Sequence, residues 1–159
     1  MDINMQKIKI MFDTNAFDMA CKESKLIANS LDQIDIFVTG VQVEELSNIP
    51  DERKEIRLDN FLTLCDLRPT LVPTIFTFDR IDFNHFSFET EPIYDYLIKE
   101  NKRNINDALI GATAYHEKCI LITDDKDLTK RMKKVQDAQV MTYEEFKNNF
   151  INTDGKKLQ

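Results

Sequence analysis

The sequence is short of glycine, with three residues in 159, and it contains no tryptophan. A glycine-rich phosphate-binding loop or a GxGxxG dinucleotide fingerprint needs several closely spaced glycines, so both are excluded. Three cysteines, Cys21, Cys65 and Cys119, form no CxxC pair, and the two histidines stand alone. The sequence therefore offers neither a disulfide framework nor the ligand spacing of a zinc site.

Long apolar runs are also missing. No stretch approaches the roughly 18 apolar residues that cross a bilayer. The N-terminal MDINMQKIKI lacks the apolar segment of a signal peptide. Together with the unpaired cysteines, these absences predict a cytoplasmic protein with reduced thiols and no membrane segment.

Positive charge is in deficit, because 21 basic residues face 28 acidic ones and the net charge is −7. Lys and Arg normally supply the affinity for nucleic-acid phosphates. This balance indicates one of two things: either the protein binds no nucleic acid, or many of its acids gather in a metal site.

Apolar runs rich in β-branched residues alternate with runs of helical period. Strands are predicted over 7–12, 35–38, 71–76, 119–123 and 138–142. Helices are predicted over 16–31, from Val43 onward, and over 51–66, 91–101, 106–118, 125–134 and 143–150. This order predicts an α/β fold, a three-layer α/β/α sandwich with a mainly parallel central sheet of about five strands. Residues 1–150 would form one domain, and 151–159 a polar C-terminal tail.

The helical period also predicts which side chains face the core. For the helix over 16–31 these are Ala16, Met19, Ala20, Ile27 and Leu31. For the helix over 51–66 they are Ile56, Phe61 or Leu62, and Cys65. The segment 70–90 carries five phenylalanines without a regular helical or strand period. We therefore predict a strand followed by an irregular aromatic segment.

Acidic residues stand where the predicted strands end and where the following helices begin. Asp13 ends the first strand, and Asp124 and Asp125 follow the strand over 119–123. Glu45 and Asp107 lie at the starts of two helices. Ligands of open α/β sheets bind beyond the carboxyl ends of the strands, so these acids could meet in one cleft.

Such a cluster needs compensation, because two carboxylates about 5 Å apart repel by about 3 kcal/mol at an effective dielectric constant near 20. Hard oxygen ligands suit Mg²⁺ or Mn²⁺.

A simpler explanation is that the polar residues cap helices. In that interpretation Asn15 caps the helix from Ala16. Asn104 or Asn106 caps the helix from Asp107. Asp124 or Asp125 caps the helix that follows them. Glu44 and Glu45 would then be ordinary surface acids.

Four segments, IMFDTNAFD, VQVEEL, NDALIGATA and LITDDKDL, resemble in order the four motifs of the PIN-domain nucleases, which include the VapC-like toxins. The resemblance spans residues 8 to about 143. It implies that Asp13, Glu45, Asp107 and Asp125 form the catalytic metal site. Asp124, and more distantly Asp127, are alternatives to Asp125, and Glu44 is the alternative to Glu45. Asn15 and Thr123 resemble the polar residues that orient ligands and water in that family.

The resemblance implies hydrolysis of phosphodiester bonds in single-stranded RNA, dependent on Mg²⁺ or Mn²⁺, with 5′-phosphate and 3′-hydroxyl products. Many bacterial members are toxins neutralised by a small antitoxin, and others act in RNA processing. The aromatic segment 70–90 looks longer than those toxins carry, which counts against the toxin role and leaves the chemistry untouched. A homodimer is a further possibility. A receiver-like binding module is the alternative from another class, although a receiver has a second acid where Thr14 follows Asp13.

Two basic clusters border the expected cleft and could position RNA phosphates. The first is Lys99, Lys102 and Arg103, and the second is Lys126, Lys130 and Arg131. The phenylalanines of FDRIDFNHFSF could stack on unpaired bases. Core packing, a dimer contact or an antitoxin contact explains most of them better.

Overall fold

The structure is a computed structural model that describes residues 6–48, 51–73, Ile93, Tyr96, Leu97 and 105–151. Several predictions lie outside these residues. They are most of the aromatic segment 70–90, most of the helix over 91–101, the possible cap Asn104, the basic cluster Lys99, Lys102 and Arg103, and residues 152–159 of the tail.

Five strands and seven α-helices alternate along the described residues. The strands are β1 (Ile8–Phe12), β2 (Ile34–Thr39), β3 (Thr70–Val72), β4 (Ile120–Ile122) and β5 (Gln139–Met141). The helices are α1 (Thr14–Lys22), α2 (Ser24–Ala28), α3 (Gly40–Ser47), α4 (Lys54–Leu67), α5 (Ile105–His116), α6 (Lys126–Lys133) and α7 (Tyr143–Phe150), with a 3-10 turn at Asp51–Arg53. No described helix combines the length and the apolar character needed to span a membrane.

The strands form one sheet in the order β3-β2-β1-β4-β5, and every neighbouring pair is parallel. In register, Ile10 of β1 lies between Ile36 of β2 and Ile120 of β4. This confirms the predicted α/β fold with a parallel sheet of five strands. The strands are parallel, so their carboxyl ends meet at one edge of the sheet, where Asp13 and Thr123 follow β1 and β4.

The two faces of the sheet carry separate cores, because successive strand residues point to opposite sides. Ile10 and Phe12 face a core covered by α1, α2, α7 and the end of α4. Met11, between them, faces a core covered by α5, α6 and Val41 of α3. These are the three layers that the alternation of strands and helices predicts.

Helix α5 lies close to its neighbours because its side chains are small. A Cβ atom at Gly111 would lie 3.0 Å from a methyl carbon of Leu97 and 3.3 Å from the sulfur of Met132. All seven residues from Ala108 to Ala114 are buried. The small residues thus let α5 sit deep in the core, which brings its first turn, with Asp107, to the carboxyl edge of the sheet.

The helix predicted over 16–31 is two helices, because α1 ends at Lys22 and α2 begins at Ser24. Ala16, Ala20 and Ile27 are buried as predicted, and Leu31 packs against the same core. Met19 is 41% exposed, so its prediction as a core residue is wrong. The break after Lys22 turns the second half of the segment, so one helical period cannot describe both halves.

Three residues of the predicted inner face of α4 are also wrong, and the side chain of Phe61, the alternative to Leu62, lies outside what the structure describes. Ile56 and Leu62 are 46% and 52% exposed, and Cys65 is exposed as well. Among the described side chains of this helix, the buried ones are Asn60, Thr63 and Leu67. The side-chain oxygen of Asn60 accepts a hydrogen bond from the Cys21 thiol, at 3.1 Å, whereas its amide nitrogen is buried without a partner among the described residues. Apolar residues lie on several sides of α4, so periodicity alone could not select the buried one.

Candidate active site

Asp13 lies directly after β1 and caps α1. Its Oδ1 accepts a hydrogen bond from the backbone N–H of Thr14 at 2.8 Å. Its Oδ2 accepts one from the hydroxyl of Thr123 at 2.9 Å. The prediction that Asn15 caps this helix is wrong, because α1 begins at Thr14 and Asp13 supplies the capping oxygen. Asn15 is exposed in the first turn of the helix.

The Asp13 carboxylate is 1% exposed. Burial raises the pKa of Asp13, and the negative charges of Asp125 and Glu45 raise it further. The hydrogen bonds from Thr123 and Thr14 oppose this shift because they stabilise the charged form. Asp13 is therefore a firmly oriented carboxylate in a field made negative by its neighbours.

Glu45 points into the site from α3 and is held at both oxygens. The side-chain amide of Asn106 donates to Oε1 at 2.7 Å, and the hydroxyl of Thr14 donates to Oε2. Glu44, the alternative at the sequence level, lies on an exposed side of the same helix. The structure thus places Glu45, not Glu44, beside the other acids.

The start of α3 is attached to the end of β1 through the buried Gln42. Its side-chain oxygen accepts a hydrogen bond from the Thr39 backbone N–H, and its amide donates to the carbonyl of Phe12. Phe12 directly precedes Asp13, so one amide side chain sets the position of α3 relative to Asp13. Sequence reasoning missed Gln42, although its place three residues after Thr39 is the spacing of a capping box.

Asp107 lies in the first turn of α5 and shares the field of the other three acids. Its pKa is raised to about 6, first by burial and then by the charges of Asp13, Asp125 and Glu45. Arg131 acts in the opposite direction. The structure therefore brings together all four acids that the sequence motifs indicate, from β1, α3, α5 and the start of α6.

Asp125 is the N-cap of α6, as the capping interpretation predicted for Asp124 or Asp125. Its Oδ1 accepts hydrogen bonds from the backbone N–H groups of Asp127 and Leu128, at 2.9 and 3.0 Å. Its own backbone N–H donates to the Thr123 hydroxyl at 3.1 Å. The cap and the acidic cluster are thus not exclusive, because Asp125 belongs to both.

Asp124 faces a different part of the molecule. Its carboxylate accepts a hydrogen bond from the backbone N–H of Tyr143 at 3.1 Å, at the start of α7. It lines a groove between α1 and α7 together with Glu23 and Lys147. This placement separates Asp124 from the four clustered acids and does not support its prediction as a metal ligand. Asp127 is exposed and meets Asp125 through its backbone N–H.

Only one of the two predicted basic clusters lies within the described residues. Lys126 and Lys130 are exposed on α6. Arg131 is 8% exposed, and its guanidinium donates to the carbonyls of Leu97 and Asp127. This placement does not support the prediction of Arg131 as an RNA contact, because the guanidinium is used inside the fold.

The donor set of the cluster fits a hard divalent cation, since every candidate ligand is a carboxylate oxygen. Among the described residues, no three acids already stand close enough to hold an ion. Burial, and after it the charges of the neighbouring acids, raise the pKa values of Asp13 and Asp107, and a bound cation would favour the charged form of both. The chemistry of the donor set thus fits Mg²⁺ or Mn²⁺.

Comparison with solved structures supports the fold. VapBC2 from Rickettsia felis bound to a DNA fragment from their promoter has a TM-score of 0.58 and 16% identity, covering 85% of this chain and 98% of that chain. PAE2754 from Pyrobaculum aerophilum has a TM-score of 0.55 and 13% identity, covering 91% and 92%. VapBC-5 from Mycobacterium tuberculosis, a member of the VapBC family of toxin-antitoxin systems, has a TM-score of 0.50 and 18% identity, covering 84% and 98%.

At these identities the structural likeness shows the fold alone. No curated protein matches the sequence at a significant level. The family model described as PIN domain matches residues 10–134, which is most of the chain and includes all four clustered acids. The chain therefore belongs to the PIN domain family, whose members are nucleases.

Proposed function

We propose that this protein is an endoribonuclease that hydrolyses phosphodiester bonds of single-stranded RNA and depends on Mg²⁺ or Mn²⁺. The observation that carries the proposal is the convergence of Asp13, Glu45, Asp107 and Asp125 at the carboxyl edge of the sheet. The pKa of Asp107 is raised first by burial and then by the charges of the other three acids, which indicates that the four acids lie near one another. The family assignment favours this activity over a receiver-like module.

Asp13, Asp107 and Asp125 would hold the cation, with Asp124 turned away toward α7. A bound divalent cation polarises a phosphoryl oxygen and lowers the pKa of water. Thr123 and the Thr14 backbone N–H keep the Asp13 carboxylate oriented. Asp125 keeps its orientation because Oδ1 is fixed at the start of α6.

Glu45 is the carboxylate best suited to orient the attacking water, because donors from two other helices fix both of its oxygens. The water oxygen forms a bond to phosphorus while the bond from phosphorus to the 3′ oxygen breaks. Glu45 receives the proton of the water, and solvent protonates the leaving oxygen. The products carry a 5′-phosphate and a 3′-hydroxyl.

RNA phosphates would meet the exposed Lys126 and Lys130, which follow Asp125 on α6. The same role is proposed for Lys99, Lys102 and Arg103, which precede Asp107 in the sequence. A loss of positive charge at either cluster should weaken RNA binding more strongly at low salt, because screening already weakens these contacts at high salt.

A toxin held by a protein antitoxin is the proposed biological context, with RNA processing as the alternative and the cytoplasm as the location. Two solved relatives are VapBC proteins, and one belongs to toxin-antitoxin systems by name. On this chain, Ile56, Leu58 and Leu62 expose apolar surface along α4, which is typical of a surface that meets another protein. Expression in cells tests this: growth arrest that is lost in Asp13→Asn supports the toxin, and growth without arrest contradicts it.

The activity is tested with purified protein and a mixed single-stranded RNA in Mg²⁺, Mn²⁺ or EDTA. Two matched pairs place the chemistry: Glu45→Gln against Glu44→Gln, and Asp125→Asn against Asp124→Asn. We expect the loss of one oriented carboxylate, Glu45 or Asp125, to lower cleavage at least about 100-fold. The Glu44 and Asp124 variants should cleave normally. Cleavage that persists in EDTA, or in Asp13→Asn, would contradict the proposal.

A further inference from the structure

We infer that Asn106 is a positioning residue that fixes the Glu45 carboxylate for hydrolysis, an inference that rests on the proposed function. Asn106 lies in the first turn of α5, and its amide nitrogen donates to Oε1 of Glu45 at 2.7 Å. The contact joins α5 to α3 across the mouth of the site. Through this bond Asn106 acts on the orientation of Glu45.

A glutamate on a short surface helix needs such support. Glu45 lies on α3, which has eight residues, and its side chain is half-buried. A free glutamate side chain samples many rotamers, and ordering it costs conformational entropy. A carboxylate serves a reaction only when its oxygens are held in the productive orientation by neighbouring groups.

Two donors on opposite oxygens provide that orientation. Thr14 holds Oε2 through its hydroxyl, and Asn106 holds Oε1 through its amide. With both bonds in place the carboxylate cannot rotate about its terminal bond. With Asn106 removed, only the Thr14 bond remains and the carboxylate can rotate around it.

The two donors also align Glu45 with the other acids. The Thr14 backbone N–H donates to Asp13, so one residue holds carboxylates of two different elements. Asn106 directly precedes Asp107 in the chain. Glu45 is thus fixed relative to Asp13 through Thr14 and relative to Asp107 through Asn106.

Helix capping does not explain Asn106. Helix α5 begins at Ile105, so Asn106 lies inside its first turn. A capping side chain accepts hydrogen bonds from backbone N–H groups. In this structure the Asn106 amide donates to a carboxylate on another helix, so the capping interpretation of Asn106 at the sequence level is wrong.

The test is a double-mutant cycle of Asn106→Ala and Glu45→Ala, with Asn148→Ala on the exposed side of α7 as the control. In the wild-type background we expect Asn106→Ala to lower kcat about 10- to 100-fold, the usual cost of losing a residue that orients an active-site group. KM for RNA should change little, because Asn106 does not meet the substrate. In the Glu45→Ala background, Asn106→Ala should have no further effect on kcat.

The isosteric variant Asn106→Asp separates positioning from packing. It keeps the shape of the side chain but replaces the donating amide with an acceptor, so it should be at least as impaired as Asn106→Ala. Normal kcat in either variant would overturn the inference, as would equal losses in the presence and absence of Glu45.

The four proteins of the cycle are the wild type, the two single alanine variants and the double variant. Their unfolding in urea without metal or RNA gives a measurement independent of catalysis. A hydrogen bond to a charged group predicts a coupling of at least about tenfold in the unfolding equilibrium constant. No coupling would overturn the inference whatever the activity. Coupling in a wild-type protein that cleaves no RNA with any metal would instead overturn the proposed function, and with it the catalytic role of Asn106.

Discussion

At the residue scale, the site is a set of like charges held together by donors. Thr123, Thr14 and Asn106 each donate to an acid of the cluster. These bonds fix the carboxylates, but the acids still raise the pKa values of Asp13 and Asp107, so without metal their charges repel one another. A cleft of this kind is prepared for a cation at a cost in stability, which is typical of active sites.

The raised pKa of Asp107, caused first by burial and then by the neighbouring acids, makes the cost of its charge measurable. The unfolded value is near 3.8 and the folded value about 6. Between these values the folded protein holds a proton that the unfolded chain has released. The contribution of Asp107 to stability therefore falls as the pH rises through this window, and above it the full penalty remains.

We expect Asp107→Asn to remove that contribution. Without metal, the free energy of unfolding of the variant should exceed that of wild type by more at pH 7 than at pH 4. Urea denaturation in EDTA at both pH values measures the difference. An equal difference at both pH values would contradict the electrostatic origin of the shift.

At the element scale, α6 shows one residue in two roles. Asp125 caps the helix through Oδ1 and also raises the pKa of Asp107 and of Asp13. Asparagine caps a helix about as well as aspartate but carries no charge. The two roles can therefore be separated by choosing the substitution.

Asp125→Asn should keep the stability of α6 and lose RNA cleavage. Asp125→Ala should lose cleavage and also about 1 kcal/mol of unfolding free energy, because the cap is removed. Thermal or urea unfolding beside the RNA assay distinguishes the two. Full cleavage by Asp125→Asn would show that Asp125 is a cap alone.

Helix α4 gives a second prediction at this scale, because it buries Leu67 and exposes Leu62. Leu67 is 1% exposed and belongs to the core with Phe12, whereas Leu62 is 52% exposed. Leu67→Ala should cost about 2–5 kcal/mol. Leu62→Ala should stay within about 0.5 kcal/mol. Urea denaturation of both variants decides whether the helix is oriented as described, since similar losses would mean that both leucines are buried.

At the scale of the whole molecule, the acids come from four segments that only the assembled sheet brings together. A cation bound by these segments stabilises the folded state and not the unfolded chain. At a hundred times its dissociation constant, such a ligand adds about 2.7 kcal/mol. We therefore expect Mn²⁺ to raise the melting temperature of wild type and to have little effect on Asp13→Asn, as scanning calorimetry can measure. An equal rise in both would place the metal elsewhere.

Away from this edge, the described residues Cys119, Tyr143 and Lys147 support the fold. Burial raises the pKa of the Cys119 thiol to about 12, so this thiol is not a nucleophile at neutral pH. Tyr143 and Lys147 both hydrogen-bond to Glu23 and so join α7 to the turn after α1. The extent of the domain at 1–150 stays a prediction, although Ile151, placed in the polar tail, is buried in the core.

The sequence alone was enough to predict the fold class and, through four motifs, a set of acids in which Glu44 and Asp124 stayed open as alternatives. Strand periodicity and the alternation with helices are local signals, and parallel strands must share one carboxyl edge. In the tertiary structure Glu45 and Asp125, rather than Glu44 and Asp124, act on the charge of Asp107. Their role as catalytic residues stays a prediction. Neighbouring residues on a helix point about 100° apart, so which of them reaches the site depends on how the helix packs. The same packing oriented α4, buried Arg131, and brought Thr14 and Asn106 to Glu45 from opposite sides.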